Sequence, residues 1–267
     1  MIIIGELINS TRKKIYAAIE AKDANYIKDI AKKQVDACAN YVDVNSGAFV
    51  GKEPEYMEWL IKTVREVTDT PLSIDSPNIE AIEIGLKLAG PNAIINSITA
   101  EKEKFDKLAP IVKKYDASVI ALSMDDRGML DDADEVLKII EKLVTDLNNM
   151  GISNRKIFVD PLIKPISTNS CYGLDAMNIV ERVMTTFSGI HTICGLSNVS
   201  FGLPKRKLIN QTFLMLLMAK GLDSAIIDPL DNRLMAMILS AEMLIGKDNF
   251  CMNYLNADRE GKLEEVV

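Results

Sequence analysis

Apolar residues in this chain come in short unbroken runs, and each run stops at a small polar or acidic side chain. Residues 2–5 stop at Glu6, 41–42 at Asp43 and Asn45, 72–74 at Asp75, 93–95 at Asn96 and 157–159 at Asp160. Three more follow the same rule: 118–122 ends at Ser123, Met124 and Asp125, 192–195 at Ser197 and Asn198, and 225–227 at Asp228. A strand covered on both faces reads as a continuous apolar run, so the pattern predicts parallel strands whose polar groups gather at their carboxyl ends.

Between the runs, apolar positions recur at helical spacing over residues 26–40, 55–68, 78–89, 104–115, 133–150, 174–187, 207–220 and 232–245. Each predicts an amphipathic helix lying on a sheet. Strand and helix alternate eight times through short connections, and right-handed crossovers of that number favour a (β/α)8 TIM barrel over an open doubly wound sheet. Local signals agree. Asp75-Ser76-Pro77-Asn78 offers caps and a proline at a helix start, while Gly90 and Gly151 follow helix ends. The segment 9–23 is long for a βα loop, holds Lys13 and Lys14, and is expected to fold over the rim. Residues 213–218 (FLMLLM) read as helix core or subunit contact, and the polar tail after Cys251 predicts no element.

Composition narrows the function. A chain of 267 residues, 48% of them hydrophobic, suits one barrel domain over residues 1–267. No apolar stretch reaches the roughly 18 residues of a membrane span. The first residues carry neither a basic region nor a cleavage pattern, so they read as a strand and the expected location is the cytoplasm. The net charge of −7 argues against a nucleic-acid surface and leaves a small molecule or a protein as partner. Cys38, Cys171, Cys194 and Cys251 are scattered without a CxxC pair, as expected of reduced thiols and not of a disulfide framework or a zinc site.

If the strands close into a barrel, its rim collects Glu6, Asn9, Asp43, Asn45, Asp75, Asn96, Asp160, Ser197 and Asn198. Carboxylates and amides suit a flat heterocycle with an amino–imino edge, such as the 2-amino-4-oxo face of a pterin. A divalent cation is the competing reading of clustered carboxylates. The amides and the Gly195-Leu196-Ser197-Asn198 turn favour the organic ligand, and no metal is expected. The sole histidine, His191, opens a strand at the far end of the barrel, which predicts packing and leaves no Ser/His/Asp or Cys/His hydrolase at the mouth. Proton handling falls to carboxylates, amides or water. Glycines in 47–51 and 195–202 match neither a dinucleotide fingerprint nor a P-loop. Lys205, Arg206 and Lys207 begin a predicted helix, where positive charge opposes the dipole; they read as an anion or partner contact, or as a solvated cluster.

Ser73-Ile74-Asp75-Ser76, Ala93-Ile94-Ile95-Asn96-Ser97, Phe158-Val159-Asp160-Pro161-Leu162 and above all Gly195-Leu196-Ser197-Asn198-Val199-Ser200-Phe201-Gly202 resemble the methyltetrahydrofolate:corrinoid protein methyltransferases of the pterin-binding barrel group. The likeness extends from Gly5-Glu6-Leu7-Ile8-Asn9 to Asp228-Pro229-Leu230. It implies a TIM barrel, a homodimer, and a methyl group moved between N5 of tetrahydrofolate and cobalamin on a separate corrinoid protein, by direct displacement. It also implies roles for individual residues. Asp75, Asn96 and Asp160 would hold the pterin, with Gly195, Ser197, Phe201 and Ile227 beside it. Asn198 would lie near N5 as the catalytic group, and Glu6, Asn9, Asp43, Met124 and Arg206 would be further rim contacts. The family pattern often has glutamine where this chain has Phe201, which implies stacking in place of a polar contact. In anaerobic one-carbon metabolism such enzymes serve O-demethylation or the reverse transfer. Two alternatives remain: a dihydropteroate synthase-like enzyme, although its glycine-rich and lysine motifs are missing from 160–168 and 195–202, or a folate-binding barrel without catalysis.

Overall fold

A computed structural model describes residues 1–263. Eight strands form one parallel sheet: β1 (Ile2–Asn9), β2 (Tyr41–Asn45), β3 (Leu72–Asp75), β4 (Ile94–Thr99), β5 (Ser118–Leu122), β6 (Ile157–Asp160), β7 (His191–Thr192) and β8 (Ser224–Ile227). Each pairs with its sequence neighbours, and β1 also pairs with β8. Only the β7–β8 seam lacks a continuous ladder, and there the Ile226 N–H reaches the Cys194 carbonyl at 3.0 Å. The sheet is therefore the expected (β/α)8 barrel.

Helices α2 (Ala24–Asp36), α3 (Glu53–Arg65), α4 (Ile79–Ala89), α5 (Lys102–Lys114), α6 (Ala133–Asn149), α7 (Tyr172–Thr186), α8 (Arg206–Ala219) and α9 (Asn232–Leu244) cover the sheet, preceded by a short α1 (Lys13–Glu20) in the long first loop. Asn78 caps α4 by accepting the Glu80 and Ala81 N–H groups, and Gly90 ends it at φ +77°, as its sequence signals require. Helix α1 buries Ile15, Ala18 and Ile19, and Tyr16 on it stacks against Phe49 of the β2–α3 loop at 4.5 Å.

Alternation along the strands separates two environments. Val42, Val44, Leu72, Ile74, Ile95, Val119 and Val159 face the helices in the larger core. Ile4, Ile94, Ile120, Phe158 and Ile193 face inward and fill the barrel as an apolar plug. One turn above the plug the inward side chains become polar. A register shift in β1 between Gly5 and Ile8 lets the Gln34 side-chain carbonyl accept the Leu7 N–H at 3.0 Å. Gly5 has to be glycine, because a Cβ there would lie 2.4 Å from that same oxygen.

The tail departs from expectation. Residues beyond Cys251 form α10 (Met252–Arg259), and Ala257 and Leu263 pack on Ala236 of α9. A helix of eight residues with one buried position has too little periodicity to be read from sequence. Within 213–218, Phe213, Leu214, Leu217 and Met218 are buried and Leu216 is exposed.

Candidate active site

Asn9, Asn45, Asp75 and Asn96 stand in register across β1 to β4, so four polar side chains reach the same level above the plug. Asp43 and Ser73 lie one inward position lower, where Asp43 Oδ1 accepts from Ser73 Oγ at 2.7 Å and from Asn96 Nδ2 at 3.2 Å. That contact fixes the Asn96 amide and directs its carbonyl away from Asp43. Asp75 Oδ2 accepts from Asn45 Nδ2 at 2.7 Å. On β6, Asp160 Oδ1 accepts the Leu162 N–H at 2.8 Å, and the Gly195 N–H also donates to this carboxylate.

Burial dominates the electrostatics. It raises Asp75 and Asp160 each to about 6, in spite of the donors that each accepts. Asp43 is raised well above the usual carboxylate range by burial, reinforced by the charge of Asp75, against the opposing bonds from Ser73 and Asn96. Glu6 is raised by burial, and Arg12, 2.6 Å away, partly offsets this. Asp43, Asp75 and Asp160 are thus inward carboxylates with no cation paired to any of them among the described residues, and burial favours their neutral forms unless donors such as ligand N–H groups oppose it.

The Asn198 turn closes the seam. Residues 196–200 form a 3-10 turn three residues beyond the short β7, with Ser197 and Asn198 exposed. Arg206 holds the turn by donating to the Ser197 carbonyl at 2.5 Å and to Ser200 Oγ at 3.0 Å. The Phe201 N–H donates to the Asn198 carbonyl at 3.1 Å, Ser167 Oγ donates to the Phe201 carbonyl at 2.8 Å, and the Phe201 ring stays 66% exposed. Asn198 and the Phe201 ring are therefore exposed on a clamped backbone.

Of the predicted residues, Ile227 is placed elsewhere and others carry contacts of their own. Ile227 points outward into the core cluster that holds Ala225 and Leu234, because Ser224 and Ile226 take the inward positions of β8; its side chain does not line the mouth. Arg206 braces the Asn198 turn, and Lys207 pairs with Asp231 at 3.2 Å. Of the three basic residues there, only Lys207 is in an ion pair among the described residues, and Arg206 is held by the neutral groups of the turn. Asn9 spends its carbonyl on Thr11, and the Met124 carbonyl accepts the Ala100 N–H. Asp160-Pro161-Leu162 and Asp228-Pro229-Leu230 repeat one geometry, each aspartate accepting the N–H two residues on. His191 lies at the far end of the barrel, stacked on Phe158 at 4.6 Å with Nδ1 2.7 Å from Asp223. The four cysteines are free. Among the described residues no group of three or more His, Cys, Asp or Glu is arranged to hold a metal ion, and no helix is long and apolar enough to cross a membrane. Sequence reading missed Ser10 and Ser200. Both act through contacts distant along the chain or around a turn, and no local pattern marks them.

Comparison with known proteins agrees with this fold. The profile of the pterin binding enzymes matches residues 5–228, and the chain belongs to that family. It is 34% identical over 268 aligned residues, covering all of this chain and 99% of its relative, to a methylcorrinoid:tetrahydrofolate methyltransferase of Eubacterium limosum. Within the family it therefore groups with the folate–corrinoid methyltransferases. It is 29% identical over 247 residues to the methionine synthase of Mycobacterium leprae, of which it spans one fifth, 20%. A dihydropteroate synthase of Xanthomonas albilineans superposes with a TM-score of 0.67 over 92% of each chain at 18% identity. That of Thermus thermophilus gives 0.66 at 16%. At such identities the likeness is one of fold alone.

Proposed function

We propose that this enzyme moves a methyl group between N5 of tetrahydrofolate and the cobalt of a corrinoid borne by a separate protein. The full-length similarity to a methylcorrinoid:tetrahydrofolate methyltransferase carries the reading, and the braced turn that bears Asn198 and the three buried inward carboxylates support it. The dihydropteroate synthases share the fold without comparable identity, and the glycine-rich and lysine motifs expected of them are missing from 160–168 and 195–202.

Asp75, Asn96 and Asp160 take the amino–imino edge of the pterin. Two ionised carboxylates and an amide carbonyl offer acceptors to its N–H groups. Gly195 and Ser197 supply backbone and hydroxyl contacts along the seam, and the Phe201 ring stacks on the folate. Methyl loss leaves the bonding pair on N5, which takes a proton from water to become N5–H. Asn198 donates to N5, and that bond strengthens as the C–N bond breaks, which stabilises the transition state more than the ground state. Glu6, Asn9, Asp43 and Met124 shape the pocket around these groups. The corrinoid, when its protein docks, supplies the acceptor or donor of the methyl group on the open side. The chain's own part is to hold the folate so that N5 and its methyl face outward in line.

The rim suits a protein partner. Val50 is 86% exposed, Met129 61% and Leu230 39%, each on a loop at the carboxyl end of a strand. The seven αβ connections at the other end carry no exposed large apolar side chain among the described residues. An apolar crown around a polar mouth is a surface for docking. With Val50→Glu and Met129→Glu combined, transfer to a protein-borne corrinoid falls at least about tenfold while transfer to free cobalamin is kept. Steady-state rates with both acceptors check this. Equal loss with both places the two residues in folding or in the pocket.

We also propose a homodimer through α7 and α8, where exposed Leu174, Leu208 and Leu216 border an apolar groove, and a cytoplasmic location. Light scattering of the purified protein tests the former.

A further inference from the structure

Two backbone N–H groups set the direction of a hydrogen-bond chain that ends on Asp75. The Ala48 N–H donates to Ser10 Oγ at 3.0 Å, which leaves the Ser10 hydroxyl proton for Asn45 Oδ1, 2.7 Å away. The Gly47 N–H donates to that same Oδ1 at 2.9 Å. Both lone pairs of the Asn45 carbonyl are thereby filled by donors, and this decides which end of the amide is oxygen. Asn45 Nδ2 is then the atom that faces Asp75 Oδ2 at 2.7 Å. Every link donates toward the carboxylate. Ser10 is 1% exposed and Asn45 8%, so water does not compete for these bonds.

We propose that Ser10 and Asn45 are positioning residues that keep Asp75 a pure acceptor for the ring N–H groups of a pterin, without touching the pterin themselves. The inference rests on the pterin-binding reading. Its physical basis is the company Asp75 keeps. From β2 it faces the buried Asp43, with Glu6 of β1 beyond, itself paired with Arg12; β4 brings the neutral Asn96. No cation pairs with Asp75 among the described residues. Burial therefore favours a protonated Asp75, and a protonated carboxyl presents an O–H to a ligand edge made of N–H donors. The directed donors from Asn45 oppose that change. An amide turned the other way would favour it.

The test is the binding of 5-methyltetrahydrofolate to the intact protein by titration calorimetry, for wild type, Asn45→Ala and Ser10→Ala, from about pH 5.5 to about pH 8.5. Near neutral pH, Asn45→Ala binds roughly ten- to a hundredfold more weakly than wild type, since a hydrogen bond to a charged group is lost. Its deficit shrinks toward the alkaline end, where Asp75 ionises without help. Ser10→Ala shows the same trend with a smaller amplitude, and it carries the test if Asn45→Ala does not fold. A deficit of equal size at every pH, or wild-type affinity in both variants, overturns the proposal. A wild-type protein that binds no folate at any pH contradicts the pterin reading itself, and the two failures are thus distinct.

Discussion

Replacing Asn198 by alanine lowers methyl transfer by roughly ten- to a thousandfold and weakens folate binding far less, as expected when one donor that acts mainly in the transition state is removed. The expectation follows from placement. Asn198 is exposed at the seam between β7 and β8, where the strand ladder is interrupted and the chain leaves the barrel in a tight turn. Its backbone is immobilised by the Phe201 N–H and, through the Ser197 carbonyl, by Arg206. In the proposed mechanism the fixed backbone limits where the side-chain amide can go, and its hydrogen bond strengthens as N5 takes up the C–N bonding pair. Arg206→Met leaves Asn198 in place but frees the turn, so it lowers the transfer rate by a smaller factor, about tenfold. Single-turnover rates set beside folate dissociation constants separate the effects. Equal losses in rate and binding for Asn198→Ala contradict a transition-state role.

Asp160→Asn weakens pterin binding by about ten- to a hundredfold and makes the ligand-free protein more stable near neutral pH. Both effects come from one carboxylate. As an acceptor it takes the amino–imino edge, and an amide in its place turns a donor toward a donor. As a buried charge it is costly to fold. Its folded value of about 6 lies above the ordinary 3.8, a difference of roughly 3 kcal/mol. A carboxyl raised in the folded state contributes stability that is fully present below the unfolded value and is lost as the pH rises through about 6. Asp75, also raised to about 6, has the same sign. Ligand-free protein is thus stabilised by these two groups on acidification from about pH 7 to about pH 5, while pterin affinity falls over that interval because the acceptors are lost. Thermal melts of both proteins across pH check the first effect, where Asp160→Asn shows a flatter profile and, near neutral pH, about 1–2 kcal/mol more stability. Pterin titrations check the second. A melting profile that Asp160→Asn leaves unchanged contradicts the burial argument.

Much of this was legible in the sequence for a simple reason. Strands covered on both faces must be apolar, so the polar residue ending each run marks where the cover stops, and Asp43, Asp75, Asn96 and Asp160 do line the inside above the plug. Run ends do not give the facing of each side chain. Ile227 lies at the end of its run, yet the two-residue period of β8 sends it to the helices. The basic triplet 205–207 was ambiguous because charge does not tell a ligand contact from a brace, and the turn that Arg206 holds is assembled only in three dimensions. Ser10 follows β1 and Asn45 ends β2, and their link to Asp75 depends on the register between β1, β2 and β3. Helix α10 was hidden because its single buried position leaves no stripe to detect.

The most direct test of the central claim is a spectroscopic one. The protein is mixed with 5-methyltetrahydrofolate and chemically reduced cob(I)alamin, and the Co(I) absorbance is followed. Loss of that absorbance with formation of methylcobalamin, abolished or strongly slowed by Asn198→Ala, is the predicted result. Tight folate binding with no methyl transfer, either to free cobalamin or to corrinoid proteins of the source organism, would contradict the methyltransferase account and leave a folate-binding barrel.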